Sequence, residues 1–309
     1  MNGPVRALAA PRAPARFPAT VRGLAAAGQT ARPRQWPKNL LVFAAPLAGA
    51  SLGRDEGLGY ALGAAAAFIA ASAAVYFVND VIDADRDRLH PVKRFRAVAA
   101  GRLPAGHALL LAGLAAAAAI SFGFWIGEPW LAALITAYLV ASFLYALGLK
   151  HVPVVELIFV ATGFVFRALG GAVATHVPPS AWFLLVCSLG ALMVAIAKRV
   201  TELAMLGGQA AGHRPVMRWY SLAGLRLSQR LVAVAMTGAY LLWALGESGA
   251  WMRAWHLASA IPLAAALIRF DRLTGQAGDR PVEDLIIRDG LMVGCELSWL
   301  AMFVVGLWA

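Results

Sequence analysis

Charge is scarce in this chain: only 14% of its 309 residues are Asp, Glu, Lys or Arg, while 61% are hydrophobic. So few charges cannot cover a soluble domain of this size, which excludes a water-solvated globular enzyme and makes the bilayer the expected solvent. Cysteine is almost absent. Cys187 and Cys295 lie in separate apolar runs with no Cys-x-x-Cys spacing, which excludes a disulfide framework, a zinc site and thiol redox chemistry. The six histidines have no metal-ligand spacing either. Residues 1–35 contain no acidic residue and no apolar core of signal-peptide type. They read as a mostly disordered basic tail that leads into an interfacial anchor containing Trp36.

What the chain does have is apolar length. Runs long enough to cross a bilayer lie at 58–78, 106–126, 129–148, 153–175, 180–197, 230–247, 251–269 and 287–309, with a shorter candidate containing Pro46 at 39–53. The expectation is an all-α polytopic membrane protein of about nine spans, with 36–309 as one transmembrane domain. Of the 27 lysines and arginines, all but Arg54, Arg167 and Arg253 fall before the first span or in loops at the ends of alternate spans. That bias puts the N-terminus and the basic loops in the cytoplasm and the C-terminus outside. The net charge of +11 is then mainly a topology signal, and nucleic acid is not needed to explain it.

Acids interrupt this pattern at one place. Asn79-Asp80-Val81-Ile82-Asp83-Ala84-Asp85-Arg86-Asp87 follows an apolar run with hardly a charge in it. On a continuing helix Asp80, Asp83 and Asp87 fall within roughly 60° of one another, while Asp85 points elsewhere. A solvated positive-inside loop would not gather like charges on one face, because they repel; a metal removes that cost. Oxygen-rich clusters of this kind suit Mg²⁺, which keeps waters and bridges carboxylates to a substrate's phosphates. The following segment, His90-Pro91-Val92-Lys93-Arg94-Phe95-Arg96, supplies permanent cations. Metal and basic clamp together describe a diphosphate pocket.

Two more stations share that end of the chain's topology. Tyr145, Lys150 and His151 follow the fourth span, and Glu156 and Arg167 lie within the next, eleven residues apart and so on nearly one helical face with Gly163 and Gly170. Ionisable groups inside spans usually line a polar cavity, although Glu156 and Arg167 could also pair through relays. Lys198-Arg199-Val200-Thr201-Glu202 ends the sixth span, and Lys198 and Glu202 are spaced for an i, i+4 pair. Glu296 in the last span, and Arg269, Asp271, Glu283 and Asp284 near the last cytoplasmic loop, read as packing or solvated groups.

Asn79-Asp80-x-x-Asp83-x-x-x-Asp87 at the end of the second span is similar to the first acidic motif of the UbiA superfamily of intramembrane prenyltransferases. Arg32-Pro33-Arg34-Gln35-Trp36-Pro37-Lys38-Asn39, His90-Pro91-x-Lys93-Arg94-Phe95-Arg96, Tyr145-x-x-Gly148-Leu149-Lys150-His151 and Lys198-Arg199 resemble the branch of that family that acts on phosphoribosyl diphosphate (PRPP) and polyprenyl phosphate. The resemblance implies a helical bundle around a cytoplasm-facing cavity in a bacterial inner membrane. It also implies Mg²⁺-dependent transfer of 5-phosphoribosyl to a lipid phosphate for arabinosyl-donor synthesis in the cell wall. On this reading Asp80, Asp83 and Asp87, helped by Asn79, hold the metal. Lys38, Lys93, Arg94 and Arg96 clamp phosphates, and Tyr145, Lys150, Lys198 and Arg199 orient the donor or receive the acceptor, with Glu156 and Arg167 lining the cavity. Two positions depart from the branch: Glu156 stands where Asp is expected, and Ala97 stands where Pro follows Arg96. Two other readings remain open: a UbiA-type enzyme moving a prenyl group from its diphosphate to an aromatic acceptor, and, more distantly, a transporter of an anionic lipid or metabolite. A homo-oligomer is compatible with the sequence.

Overall fold

Long runs of Ala, Leu and Val favour helix, the element that satisfies every backbone N–H and C=O within its own segment when no water is at hand. The computed structural model of the chain describes residues 19–53, 56–90, 92–126, 129–276 and 282–307, and among these there is no strand. Ala19–Thr30 (α1) is helical, within the segment predicted as tail; residues 1–18 of that segment lie outside the described residues. Eight long helices follow: α2 Gly57–Ile82, α3 Ala105–Trp125, α4 Pro129–Leu147, α5 Val155–Ala174, α6 Ala181–Leu206, α7 Leu222–Leu245, α8 Ala250–Thr274 and α9 Gly290–Leu307. Six of them, α2 to α6 and α9, are long and apolar enough to cross a membrane. The other two carry charges along their length, Arg226 and Arg230 on α7 and Arg253, Arg269, Asp271 and Arg272 on α8, which lowers their mean hydropathy.

The span predicted at 39–53 is not one helix. Pro33–Phe43 forms a 3₁₀ segment with Pro37 inside it, and only Ala44–Ala48 continues as α-helix. Pro37 and Pro46 lack the N–H an α-helix needs four residues on, so the hydropathy of this stretch does not become a continuous spanning helix. The segment packs instead against α5 and α2. Gly171 makes that approach possible, since a methyl group there would overlap the Val42 carbonyl. The adjacent Gly170 similarly yields space to the Phe68 ring.

Each long helix packs against the next, and α2 also touches α4 and α5, so the chain forms two four-helix halves joined along α5 and α6. In lipid this association rests on close contact between small side chains more than on burial from water. Ala64, Ala67, Ala71 and Ala74 of α2 are accordingly buried around Phe68, Leu131, Ile135 and Tyr138. The connection after α2, the one between α4 and α5 and the one between α6 and α7 meet at one end of the bundle. At the opposite end Gly49, Ser51, Glu56, Tyr60 and Thr175 to Pro178 line an open cavity of about 530 Å³.

Candidate active site

The acidic motif lies where α2 stops. Asp83 caps the helix, its N–H donating to the Asn79 carbonyl at 2.9 Å, and a short helix, Ala84–Leu89, restarts behind it. Asp80 and Asp87 are buried and Asp83 is half-buried, whereas Asp85 is exposed and pairs locally with Arg88 at 2.5 Å. Asp85 therefore points away from the other three.

Each inward acid meets a base from a different segment. Arg32, at φ 51° just before the 3₁₀ segment, pairs with Asp80 and lies over the Tyr76 ring at 4.7 Å. Arg96 bridges Asp87 at 2.7 Å and Asp80 at 3.5 Å. Lys150 pairs with Asp83 at 2.7 Å. Gln35 joins the 3₁₀ segment to α2, accepting from Tyr76 Oη at 2.9 Å and from Lys38 Nζ at 3.1 Å. His90 Nδ1 accepts the N–H groups of Val92 and Lys93 at 3.1 and 3.2 Å, which shapes the basic turn. Lys93 is exposed overall, yet desolvation of its ammonium, followed by the Arg96 charge, pushes its pKa below the usual lysine value. Arg94 is turned outward over the exposed Phe95 ring, apart from this cluster. Pro91 of the same turn lies outside the described residues.

The expectation that three carboxylates share one metal meets a different geometry. Among the described residues no three of His, Cys, Asp and Glu are gathered closely enough to hold a metal ion. α2 ends at Asp83, although the Asp87 N–H still donates to the Asp83 carbonyl at 2.8 Å, and the Asp83 side chain faces Lys150. Asp80 and Asp87 do converge, on the single guanidinium of Arg96. Two hard oxygen ligands bracketing one cation are a donor set that suits Mg²⁺ with waters and a substrate phosphate completing its shell.

A second cluster is built on α5 and α6. Glu156 is fully buried and receives two bonds from Arg199, both at 2.7 Å, in a bidentate pair. Arg199 also donates to Glu202 at 2.8 Å, one turn along the same helix. Arg214, from the connection between α6 and α7, approaches Glu202 at 3.5 Å and Glu156 at 3.8 Å and donates to Tyr145 Oη at 3.3 Å. Glu202 thus meets Arg199 and Arg214, and the Lys198 ammonium lies 5.7 Å from the Phe164 ring centroid. Tyr220 accepts the Val154 N–H at 2.8 Å and holds that β-branched residue at φ 65°, a strained conformation just ahead of α5. Burial raises the Tyr220 hydroxyl's pKa.

Glu156 and Arg167 share a helical face but do not pair. Arg167 lies three turns deeper and donates to Asn39 at 2.8 Å, Ser72 at 2.7 Å and Tyr138 at 3.2 Å, with the Gly163 carbonyl as a further acceptor. It stitches the 3₁₀ segment, α2 and α4 to α5 through neutral acceptors. The structure therefore brings Asp80, Asp83, Asp87, Arg96 and Lys150 into one ion-paired group, with Lys38 hydrogen-bonded to Gln35 beside it, brings Tyr145, Glu156 and Arg199 into another, and leaves Arg94 and Arg167 outside both.

Sequence reasoning did not assign roles to Arg32, Gln35, Tyr76, Glu202, Arg214 and Tyr220. One signal was available, because Ser72, Tyr76 and Asp80 recur every fourth residue and so line one stripe of α2. The connection holding Arg214 and Tyr220 has no such period.

The fold and motifs have close counterparts. The chain is 39% identical over 276 residues to decaprenyl-phosphate phosphoribosyltransferase of Mycobacterium tuberculosis, covering 87% of this chain and 90% of that one. It is 36% identical over 283 residues to the protein of the same name in Mycolicibacterium smegmatis, covering 87% and 88%. Among solved structures, a UbiA homolog from Archaeoglobus fulgidus bound to GPP and Mg²⁺ superposes with a TM-score of 0.69 at 15% identity, over 91% of this chain and 98% of that one. The sequence model of the UbiA prenyltransferase family matches residues 40–283. The chain belongs to the UbiA prenyltransferase family.

Proposed function

We propose that this protein transfers 5-phosphoribosyl from PRPP to a decaprenyl-type phosphate in a bacterial cytoplasmic membrane, releasing diphosphate. The observation that carries the reading is identity of 39% with a decaprenyl-phosphate phosphoribosyltransferase across 87% of this chain and 90% of that one. The charge inventory agrees with it. A donor with a diphosphate on C1 and a phosphate on C5, together with an anionic acceptor, calls for many bases beside few acids, and Arg32, Lys93, Arg96, Lys150 and Arg214 are present beside Asp80, Asp83 and Asp87.

Asp80 and Asp87 would hold Mg²⁺, which when bound neutralises charge on the diphosphate leaving group. Arg96 and Lys150 exchange carboxylate partners for phosphate oxygens as the donor enters, and Lys93 and Lys38 flank them. An oxygen of the lipid phosphate forms the new bond to C1 of the ribose as the bond from C1 to the diphosphate oxygen breaks, and the diphosphate carries away the electron pair. The attacking oxygen is already anionic, so no general base is needed. Orientation of the two anions against each other's repulsion is the main task of the residues. The acidic end faces the cytoplasm, where the water-soluble donor is found, and the lipid acceptor arrives laterally from the membrane.

Purified protein offered PRPP with polyprenyl phosphate, or polyprenyl diphosphate with an aromatic acceptor, tests the reading. Lipid-linked phosphoribose is expected in the first case and no product in the second; the reverse pattern would overturn the proposal.

A further inference from the structure

We propose that Arg214 is a further substrate-binding residue, one that takes a phosphate monoester at the second station of the site, while Glu202 and Tyr145 position it. This rests on the phosphoribosyl-transfer reading and adds a residue to it. The argument starts from how the two acids are spent. Both oxygens of Glu156 lie 2.7 Å from Arg199, and Glu202 Oε2 lies 2.8 Å from it, so the short, charge-assisted bonds of this cluster belong to Arg199. Arg214 receives what is left: carboxylate oxygens at 3.5 and 3.8 Å and one hydrogen bond, to Tyr145, at 3.3 Å. Contacts beyond about 3.2 Å orient a guanidinium without saturating its five donors.

Exposure separates the two arginines in the same way. The Arg199 side chain is 6% exposed, whereas that of Arg214 is 29% exposed. One is sealed in the protein and the other opens outward. Arg214 also lies within electrostatic reach of Lys93 and His151, the residues that flank the acidic end on either side. At the acidic end Asp80, Asp83 and Asp87 are each paired, with Arg32, Arg96 or Lys150. At the second station Glu156 and Glu202 are shared between Arg199 and Arg214, and Lys93, within electrostatic reach of groups at both stations, adds a further cation. A guanidinium held in place, partly open and near another cation matches a phosphate dianion in shape and charge.

Two phosphate monoesters reach this site on the proposed reaction, the C5 phosphate of the donor and the phosphate of the lipid. Binding assays with the full chain in detergent distinguish them, using ribose 5-phosphate as the water-soluble probe and a short polyprenyl phosphate as the lipid one. Arg214→Gln should weaken one of the two by roughly tenfold or more, the loss expected when a charged hydrogen-bond partner is removed. Arg214→Lys should recover part of it, because charge is kept and the planar fork lost. Both variants should melt at the wild-type temperature, since Arg214 is partly exposed and its contacts are long. A folded Arg214→Gln protein that binds both probes as wild type does would overturn the assignment. Failure of the phosphoribosyl-transfer reading has a different signature: wild-type protein that gives no turnover, with ribose 5-phosphate binding still dependent on residue 214.

Discussion

Replacing Glu156 by Gln removes the negative partner of a buried arginine while keeping the shape of the side chain. Glu156 is fully buried and Arg199 is 6% exposed, so little water can take over the lost charge. Breaking a buried ion pair from one side costs roughly 3–5 kcal/mol, because the remaining charge stays desolvated. Glu202 still holds Arg199 at 2.8 Å, which puts the expected loss near the lower figure, about 3 kcal/mol. At about 2–4 °C per kcal/mol for a chain of this order of size, the tryptophan-fluorescence melting temperature in detergent should fall by roughly 6–12 °C. The double variant Glu156→Gln with Arg199→Met should regain much of that loss, since no uncompensated cation is left. Donor KM per folded molecule should stay near wild type, because both Glu156 oxygens are already taken. An unchanged melting temperature, or a double variant no more stable than the single one, would refute the buried-pair account; a raised KM at wild-type stability would instead put Glu156 in direct contact with the donor.

Asp80→Ala should abolish turnover while the protein still elutes as a monodisperse peak, since Asp80, although buried, lies outside the apolar clusters and its partners Arg32 and Arg96 are partly exposed; normal turnover would remove it from the site. Gly171→Ala forces a methyl group into the Val42 carbonyl and should destabilise the protein by about 1–3 kcal/mol, seen as a lower melting temperature. Desolvation and Arg96 hold the Lys93 pKa down, so the free protein loses this cation below the ordinary lysine value of 10.5. Charged Lys93 is the low-pH form, and donor affinity should therefore decline as pH rises, with a midpoint below 10.5. Lys93→Arg should flatten that decline in a KM-against-pH series, and an identical decline in both proteins would assign it to another group.

Much of the bundle could be read from hydropathy, because a run of apolar residues about twenty long has few alternatives to a helix. All eight longer runs became helices, and α6 and α7 extend toward the acidic end past the apolar limits because Lys198, Arg199 and Arg226 continue the helical period where the apolar signal is absent. The 39–53 segment was misread because hydropathy does not register what Pro37 and Pro46 do to backbone hydrogen bonding. Within the site, helical period correctly set Asp80 and Asp87 together and Asp85 apart. It failed for Asp83, whose side chain pairs with Lys150, and it could not name the partner of Glu156, which is decided by the packing of α6 on α5. Arg167 shares the face of Glu156, but Arg199 comes from a different helix, and no spacing along one helix could identify it. Arg214 lies in a short connection whose position depends on the whole bundle.

Transfer of phosphoribosyl to a lipid phosphate is tested most directly by following two labels in one reaction. Wild-type protein in detergent, Mg²⁺, decaprenyl phosphate and PRPP labelled either in the C5 phosphate or in the terminal phosphate of the diphosphate should partition them differently on organic extraction. The C5 label should enter the lipid phase in proportion to diphosphate released, while the diphosphate label stays in water. Diphosphate label in the lipid phase, or no lipid-phase label from either substrate, would contradict the account.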